Sequence, residues 1–470
     1  MPDRVYRDPV HGSISFDWTK ERYAIDLIDC RELQRLRRIR QLGAASLVFH
    51  GAEHSRFAHS VGVAHLAKRL FAKITRDPNA PAELDYNNLQ KAVIAGALLH
   101  DIGHGPFSHL FERAFARKGH EEWGLEIIDA PGTEVNDVLR KHGLLDLVKQ
   151  VLDKSIRPRF VRDIISSQLD ADRFDYLLRD SYMTGVTYGR FDLDWLLEVI
   201  ELARIPTNGR DHGLAINHRK GFHAAEQFVI GRHLMYQQVY FHKTIRAAER
   251  VLRLVFERLV DLAKQKTLPH YCPDALARLL DADHRRLTVD AYLTLDDDFM
   301  ISCFSVWSRD SSEDQVVQDL SRRYLNRQLF KTVVVDPAKI KDDLRYTSTL
   351  AALQTAVQRA GFDPRYYLAF DTAEDFPYKD MTWFVAKDKV PEDVWLAENG
   401  IATHTLSDPS ISPLVNSVRN TQIAIRRLCF AAELKEIVME HLGEYVNSGP
   451  EPVEFKSRQL QMFLQPTELK

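Results

Sequence analysis

The 470-residue chain carries 63 Lys and Arg against 66 Asp and Glu, a formal net charge of −3, with 45% hydrophobic and 27% charged residues. That balance describes a soluble globular protein of two or three units and supplies no global footprint for polyanions, so any anion site must be local. The four cysteines, Cys30, Cys272, Cys303 and Cys429, form no CxxC; no apolar run nears the ~18 residues a membrane span needs, and 1-MPDRVYRDPVHG-12 has no signal-peptide core, so reduced thiols and a cytoplasmic location are expected.

In chain order, Arg4-Val5-Tyr6 and Ser13 to Phe16 read as a short β entry broken by Asp8-Pro9 and Gly12. The stretch 31-RELQRLRRIRQLG-43 has helical spacing and stops at Gly43. In 59-HSVGVAHLAKRLF-71 a Val63, Leu66, Leu70 stripe puts His59 at the head of an amphipathic helix. Next, 88-NLQKAVIAGALLHD-101 is apolar nearly all round, which predicts a central buried helix ending at Gly103, Gly105 and Pro106 with His100 and Asp101 at its mouth. Helical patterns follow over 121–128, 161–169, 172–180, 193–204 and 222–265, the last with a weak point expected at Gly231. From about 331 the texture changes: 331–335, 366–370 and 382–386 read as strands, 350–361 as a helix, and a closing helix is expected over about 413–447. The expected architecture is mainly α, a helical core over 1–330 and a smaller mixed α/β lobe over 331–470.

Histidine is concentrated as nowhere else in the chain. Eight of its 19 (His50, His54, His59, His65, His100, His104, His109 and His120) lie within the 71 residues from 50 to 120, where an even spread would place about three. Neutral imidazole ligates metals and transfers protons near neutral pH, so the cluster suggests metal-assisted hydrolysis. A catalytic metal needs three or four ligands converging from separate elements. The adjacent His100-Asp101 pair supplies two, and His59 and Asp172, each at a helix head, are the natural complements.

The spaced set His59, His100-Asp101, Asp172 resembles that of the HD-domain phosphohydrolase superfamily. More narrowly, 41-QLGAASLVFHGAEHSRFAHSVGV-63, 98-LLHDIGHGPFSHLFE-112 and 172-DRFDYLLRD-180 resemble the deoxynucleoside triphosphate triphosphohydrolases, nearest to the animal enzymes that add a sterile-alpha-motif domain, which this chain is expected to lack. The resemblance covers roughly residues 4 to 331 and implies an HD-domain helical core. It implies metal ligation by His59, His100, Asp101 and Asp172, and attack of water on the α-phosphorus to give a deoxynucleoside and inorganic triphosphate. His104, His109 and His120 are available for proton handling; Glu112, three residues after His109, is expected to orient that imidazole, and Glu121 to serve His104 or His120. Phosphate contacts are implied for Arg56, Arg173, Tyr176 and Arg232, and sugar contacts that exclude a 2′-hydroxyl for Gln41, Leu42, Tyr176, Asp180 and Tyr240. The donor set suits Mn, Fe, Co, Ni or Zn, with Mg²⁺ on the substrate phosphates.

The resemblance also implies a GTP or dGTP effector site between subunits. Asp29, Gln34 and Arg37 would read guanine, with Arg4, Lys220, Arg327 and Lys331 toward the phosphates and Arg204 near a second nucleotide. A homotetramer or homohexamer is the implied assembly. Two other readings share parts of this pattern: an HD-domain phosphatase acting stepwise or on signalling nucleotides, and a non-enzymatic nucleic-acid-binding regulator, against which the neutral charge and intact ligand set count.

Overall fold

The computed structural model describes residues 2–447 apart from 116–117, 207–211, 282–286, 312, 341–344, 376–392 and 419–422. Strands Arg4–Asp8 and Gly12–Phe16 pair antiparallel, Arg4 opposite Phe16 and Asp8 opposite Gly12, which is the expected β entry. Helices then dominate, and three of them build the site.

Helix Arg56–Ile74 begins at Ser55, whose hydroxyl accepts the Ala58 N–H at 3.4 Å, so His59 lies in its first turn. It packs between helix Tyr86–Leu99 and helix Ala171–Thr184. The second of these has every residue from Ala92 to Leu99 buried, as an all-round apolar pattern requires. Burying Leu98 and Leu99 contributes roughly 1.5–3 kcal/mol each, so the end that presents His100 and Asp101 is anchored. The third is capped by Asp170, which accepts the Arg173 N–H at 2.7 Å, and closed by Gly185 in the left-handed conformation; Asp172 therefore sits in its first turn.

The turn after Leu99 is held by its backbone polar groups. Tyr292 Oη donates to the Gly103 carbonyl at 2.7 Å, the buried Arg35 guanidinium donates to the His104 carbonyl at 2.8 Å, and the Phe107 N–H donates to Asp297 Oδ1 at 2.7 Å. Gly103 is required there. A Cβ on it would stand 2.0 Å from the His120 carbonyl oxygen and 2.4 Å from the Gly124 nitrogen, and this close approach brings helix His120–Asp129 beside the turn.

Several elements differ from expectation, most because tertiary pairing overrides local pattern. The helix at Arg31 gives way to a 3₁₀ turn and ends at Arg38, since the Arg40 N–H is taken by Asp297 Oδ2 at 2.9 Å. Residues 193–204 split into helix Leu193–Val199 and strand Ile200–Arg204, which pairs with His212–Asn217. The long run divides not at Gly231 but at a π turn, Tyr236–Tyr240, between helices His218–Met235 and Lys243–Gln265. The closing helix expected over 413–447 is instead helix Pro413–Val418, strand Ile423–Phe430 and helix Lys435–Leu442. That strand is the centre of an antiparallel sheet between Lys331–Val334 and Leu368–Asp375. Strands Trp395–Glu398 and Ile401–Thr405 close a small barrel with Ile200–Arg204 and His212–Asn217. The strand expected at 382–386 lies outside the described residues. The chain is thus mainly α with small sheets, and no described helix is long and apolar enough to cross a membrane.

Candidate functional site

The three helix ends bring together two imidazoles and two carboxylates from residues far apart in sequence. His59 Nε2 lies 3.0 Å from Asp172 Oδ1, 3.3 Å from His100 Nε2 and 3.9 Å from Asp101 Oδ2, and His100 Nε2 lies 3.4 Å from Asp101 Oδ1. The second nitrogen of each imidazole is committed elsewhere, His100 Nδ1 to the Ala97 carbonyl at 2.8 Å and His59 Nδ1 to Asp175 Oδ2 at 2.7 Å, so both Nε2 atoms face the common point.

Electrostatics agree with a place for a cation. Burial acts to lower the His59 imidazole, but hydrogen bonds to Asp172 and Asp175 overcome it and carry the pKa up to about 10. His100 is likewise raised against burial by Asp101 and Asp172. Burial acts to raise the Asp101 carboxyl, yet Arg56, His100 and His104 hold it well below the usual carboxylate range. Two imidazoles that attract positive charge, beside a carboxylate held ionised, supply a donor set that fits a divalent transition metal.

Beside them lies a second group. His104 Nδ1 is 3.0 Å and His120 Nδ1 3.1 Å from Glu112 Oε1, and the two rings stack at 4.0 Å with 14° between planes. His104 Nε2 reaches Asp101 Oδ1 at 3.3 Å, which joins this group to the first. Glu112 contacts both His104 and His120. One expectation is corrected: Glu121 stands on the surface, its side chain 69% exposed and 3.5 Å from Lys154. His109 starts helix His109–Phe115, and its side chain lies outside the described residues.

Both groups open on one cavity of about 460 Å³. All eight residues expected to hold substrate line it: Gln41, Leu42, Arg56, Arg173, Tyr176, Asp180, Arg232 and Tyr240. Arg56 Nη1 donates to Asp101 Oδ2 at 2.6 Å and its Nε to Ser108 Oγ at 2.8 Å. Arg232 Nη1 donates to Gln168 at 2.9 Å, and Arg173 pairs with Asp170. Among the described residues, Nε of Arg173, Nε of Arg232 and Oε1 of Gln41 are buried with no partner, which marks a polar ligand's place. Tyr240 Oη donates to Asp180 Oδ2 at 2.8 Å, and His54 Nε2 lies 2.8 Å from Asp180 Oδ1. The wall continues through Tyr236 and the π turn to Arg246, Arg250 and Asp371.

Sequence reasoning missed His11, His54, Asp175, Arg179, Ser108 and Tyr236 here. Their partners lie up to 171 residues away, and only the density of histidines before residue 66 gave a signal.

The residues expected to hold an effector lie in small groups. Arg4 Nη2 is 3.1 Å from Asp29 Oδ1, Arg37 Nε donates to Gln34 Oε1 at 2.8 Å and Gln34 Nε2 to the Ile28 carbonyl at 2.6 Å, while Arg37 lies over the Phe57 ring at 3.6 Å. Arg327 and Lys331 line a cavity of about 520 Å³ with Lys243 and Lys435. Arg204 ends its strand and Lys220 lies in the first turn of helix His218–Met235, both exposed.

Residues 56–180 match the HD domain family and residues 207–388 the HD-associated region. The uncharacterized protein YwfO of Bacillus subtilis is 36% identical over 421 residues, 89% of this chain and 90% of that protein. The SAMHD1 homologue of Dictyostelium discoideum, a deoxynucleoside triphosphate triphosphohydrolase, is 34% identical over 203 residues, 39% of this chain and 37% of its own length. Among solved structures, a phosphohydrolase from Bacteroides thetaiotaomicron superposes with a TM-score of 0.75 at 28% identity, covering 91% of this chain and all of that one.

Proposed function

Because this chain belongs to the HD-domain phosphohydrolase family, we propose that its cavity hydrolyses deoxynucleoside triphosphates to deoxynucleoside and inorganic triphosphate. The supporting observation is that one cavity gathers all eight nucleotide-contacting positions with His59, Asp101 and Asp172.

His59, His100, Asp101 and Asp172 would hold the metal, which when bound lowers the pKa of water and neutralises phosphate charge. Mn, Fe, Co, Ni or Zn fits that set, with Mg²⁺ on the phosphates. Arg56, Arg173 and Arg232 supply fixed cationic forks for the triphosphate, and the unpartnered Nε atoms of the latter two await acceptors. Water attacks the α-phosphorus, the bond from that phosphorus to the 5′-oxygen breaks, and the 5′-oxygen takes a proton. His120, held by Glu112 at the cavity wall, would hand it over. Tyr240 and Asp180, bonded to each other, and Gln41 and Leu42 crowd the sugar, which favours 2′-deoxyribose over ribose. GTP or dGTP at the Arg4, Asp29, Gln34, Arg37 cluster is the effector expected to raise activity by favouring a homo-oligomer, since a ligand that binds only the assembly stabilises it.

Purified protein with Mn²⁺, a panel of dNTPs and NTPs, and added GTP tests this reading. Inorganic triphosphate from dNTPs is the expected product. Stepwise orthophosphate, or NTPs turned over as well as dNTPs, would overturn it.

A further inference from the structure

Asp175 lies three residues beyond Asp172 on helix Ala171–Thr184, on the same side of it, and is wholly buried. Its two oxygens meet four donors. Oδ1 accepts from His11 Nε2 at 2.7 Å and Arg179 Nη2 at 2.9 Å; Oδ2 accepts from His59 Nδ1 at 2.7 Å and Arg179 Nε at 2.8 Å. An ionised carboxylate has about four acceptor positions, and here all are filled. His59 must therefore carry its N–H at Nδ1, which turns Nε2 toward Asp172, His100 and Asp101.

Two of the groups that fix this carboxylate come from the N-terminal hairpin. Asp8 Oδ1 accepts the N–H groups of Val10 and His11, each at 2.9 Å, which sets the turn that aims His11 inward. The other oxygen of Asp8 accepts from Arg179 Nη1 at 2.8 Å. The helix that bears His59 is notched to admit the pair. A Cβ on Gly62 would stand 1.9 Å from Asp175 Oδ1 and 2.4 Å from Arg179 Nη2.

We propose that the N-terminal hairpin is a working part of the metal centre. His11 is a positioning residue that, with Asp8 and Arg179, immobilises Asp175, and Asp175 in turn holds the His59 imidazole in its ligating orientation. The proposal rests on the metal reading of the four-residue cluster. If the hairpin only covered the core, changing His11 would lower stability and leave metal affinity alone.

The test uses full-length protein stripped with a chelator, titrated calorimetrically with Mn²⁺ and Co²⁺, with the visible absorption of the Co²⁺ form recorded. His11→Phe and Asp8→Asn are expected to weaken metal binding roughly 10- to 100-fold, the usual loss for a residue behind a ligating histidine, and to shift the Co²⁺ bands at unchanged far-ultraviolet circular dichroism. Asp175→Asn should do the same or worse. His11→Gln, which keeps an N–H donor near the Nε2 position, should recover most of the affinity. Wild-type affinity and Co²⁺ spectrum in His11→Phe and Asp8→Asn overturn the proposal, and they decide it even if Asp175→Asn does not fold. Unchanged variants beside a metal-binding wild type overturn this inference alone, whereas a wild type that binds neither metal overturns it together with the metal reading.

Discussion

Gly103→Ala tests whether backbone packing behind the site sets catalytic geometry. The added Cβ would meet the His120 carbonyl oxygen at 2.0 Å and the Gly124 nitrogen at 2.4 Å, where ordinary contacts begin at 3.4 Å. Both obstacles are backbone, so helix His120–Asp129 must retreat by about 1 Å or more. Overpacking of this kind costs about 1–3 kcal/mol, and a 1 Å displacement of a reacting group costs on the order of 10²-fold in rate. His120 would be drawn from Glu112 and from the cavity wall, while His59 and Asp172 lie on other helices and His100 and Asp101 follow directly on the anchored end of helix Tyr86–Leu99. The expected result is a kcat lowered about 100-fold, with Mn²⁺ affinity near wild type and a lower denaturant midpoint. Gly124→Ala is the matched control. Its Cβ would meet Ile102 Cγ2 at 3.7 Å and the Gly103 N and Cα at 3.8 and 4.0 Å, all ordinary contacts, and alanine favours the helix, so stability should hold or rise by up to about 1 kcal/mol. Full activity in Gly103→Ala would show that this backbone contact does not set the position of His120.

Asp172→Asn should remove Mn²⁺ binding and hydrolysis together, by calorimetry and product assay; retained tight binding would take Asp172 out of the cluster. Tyr240→Phe deprives Asp180 Oδ2 of a hydrogen bond worth about 1.5–3 kcal/mol in a buried carboxylate. A fall in kcat/KM for dNTPs of roughly 10- to 150-fold and a narrower preference over NTPs should follow, and an unchanged preference would remove this pair from sugar recognition. His65 gives the acid response: burial first, then His11, Arg69 and Lys68, push its imidazole down to about 4, with Asp175 opposing. The unfolded chain therefore takes up a proton near pH 6.5 that the native protein refuses until about 4. This contribution to stability is complete above pH 6.5 and is lost as pH falls toward 4, about 2 kcal/mol after allowance for the ring's partial exposure. Denaturant unfolding of His65→Phe from pH 7 to 4 should show a shallower decline than wild type, and an equal slope would contradict the assignment.

The helices that present the site were legible because their patterns are strong. Ala92 to Leu99 admits only a buried helix, and the Val63, Leu66, Leu70 stripe fixes which way the His59 helix faces. What failed were the element boundaries and side-chain partners decided by contacts remote in sequence. The run 200-IELAR-204 continues a helical pattern, and only its ladder with His212–Asn217 makes it a strand. Gly231 is the weakest helix former in its run, yet the break falls at Tyr236–Tyr240, where the π turn carries Tyr236 and Tyr240 into the cavity wall. Glu112 shows the same limit within the site: its contacts with His104 and with His120, which the close approach at Gly103 brings in from the next helix, follow from no spacing in the sequence. Asp175 and His11 carry no sequence mark of their partnership, since a saturated carboxylate is a property of four converging donors.

Hydrolysis of a dNTP in ¹⁸O-labelled water shows whether water attacks the α-phosphorus in the cavity where His59, Asp101 and Asp172 meet the arginine forks. Mass spectrometry of the products should find one ¹⁸O in inorganic triphosphate and none in the deoxynucleoside, with the reaction abolished in Asp172→Asn. Label in orthophosphate released stepwise, or in the 5′-hydroxyl of the nucleoside, would contradict it.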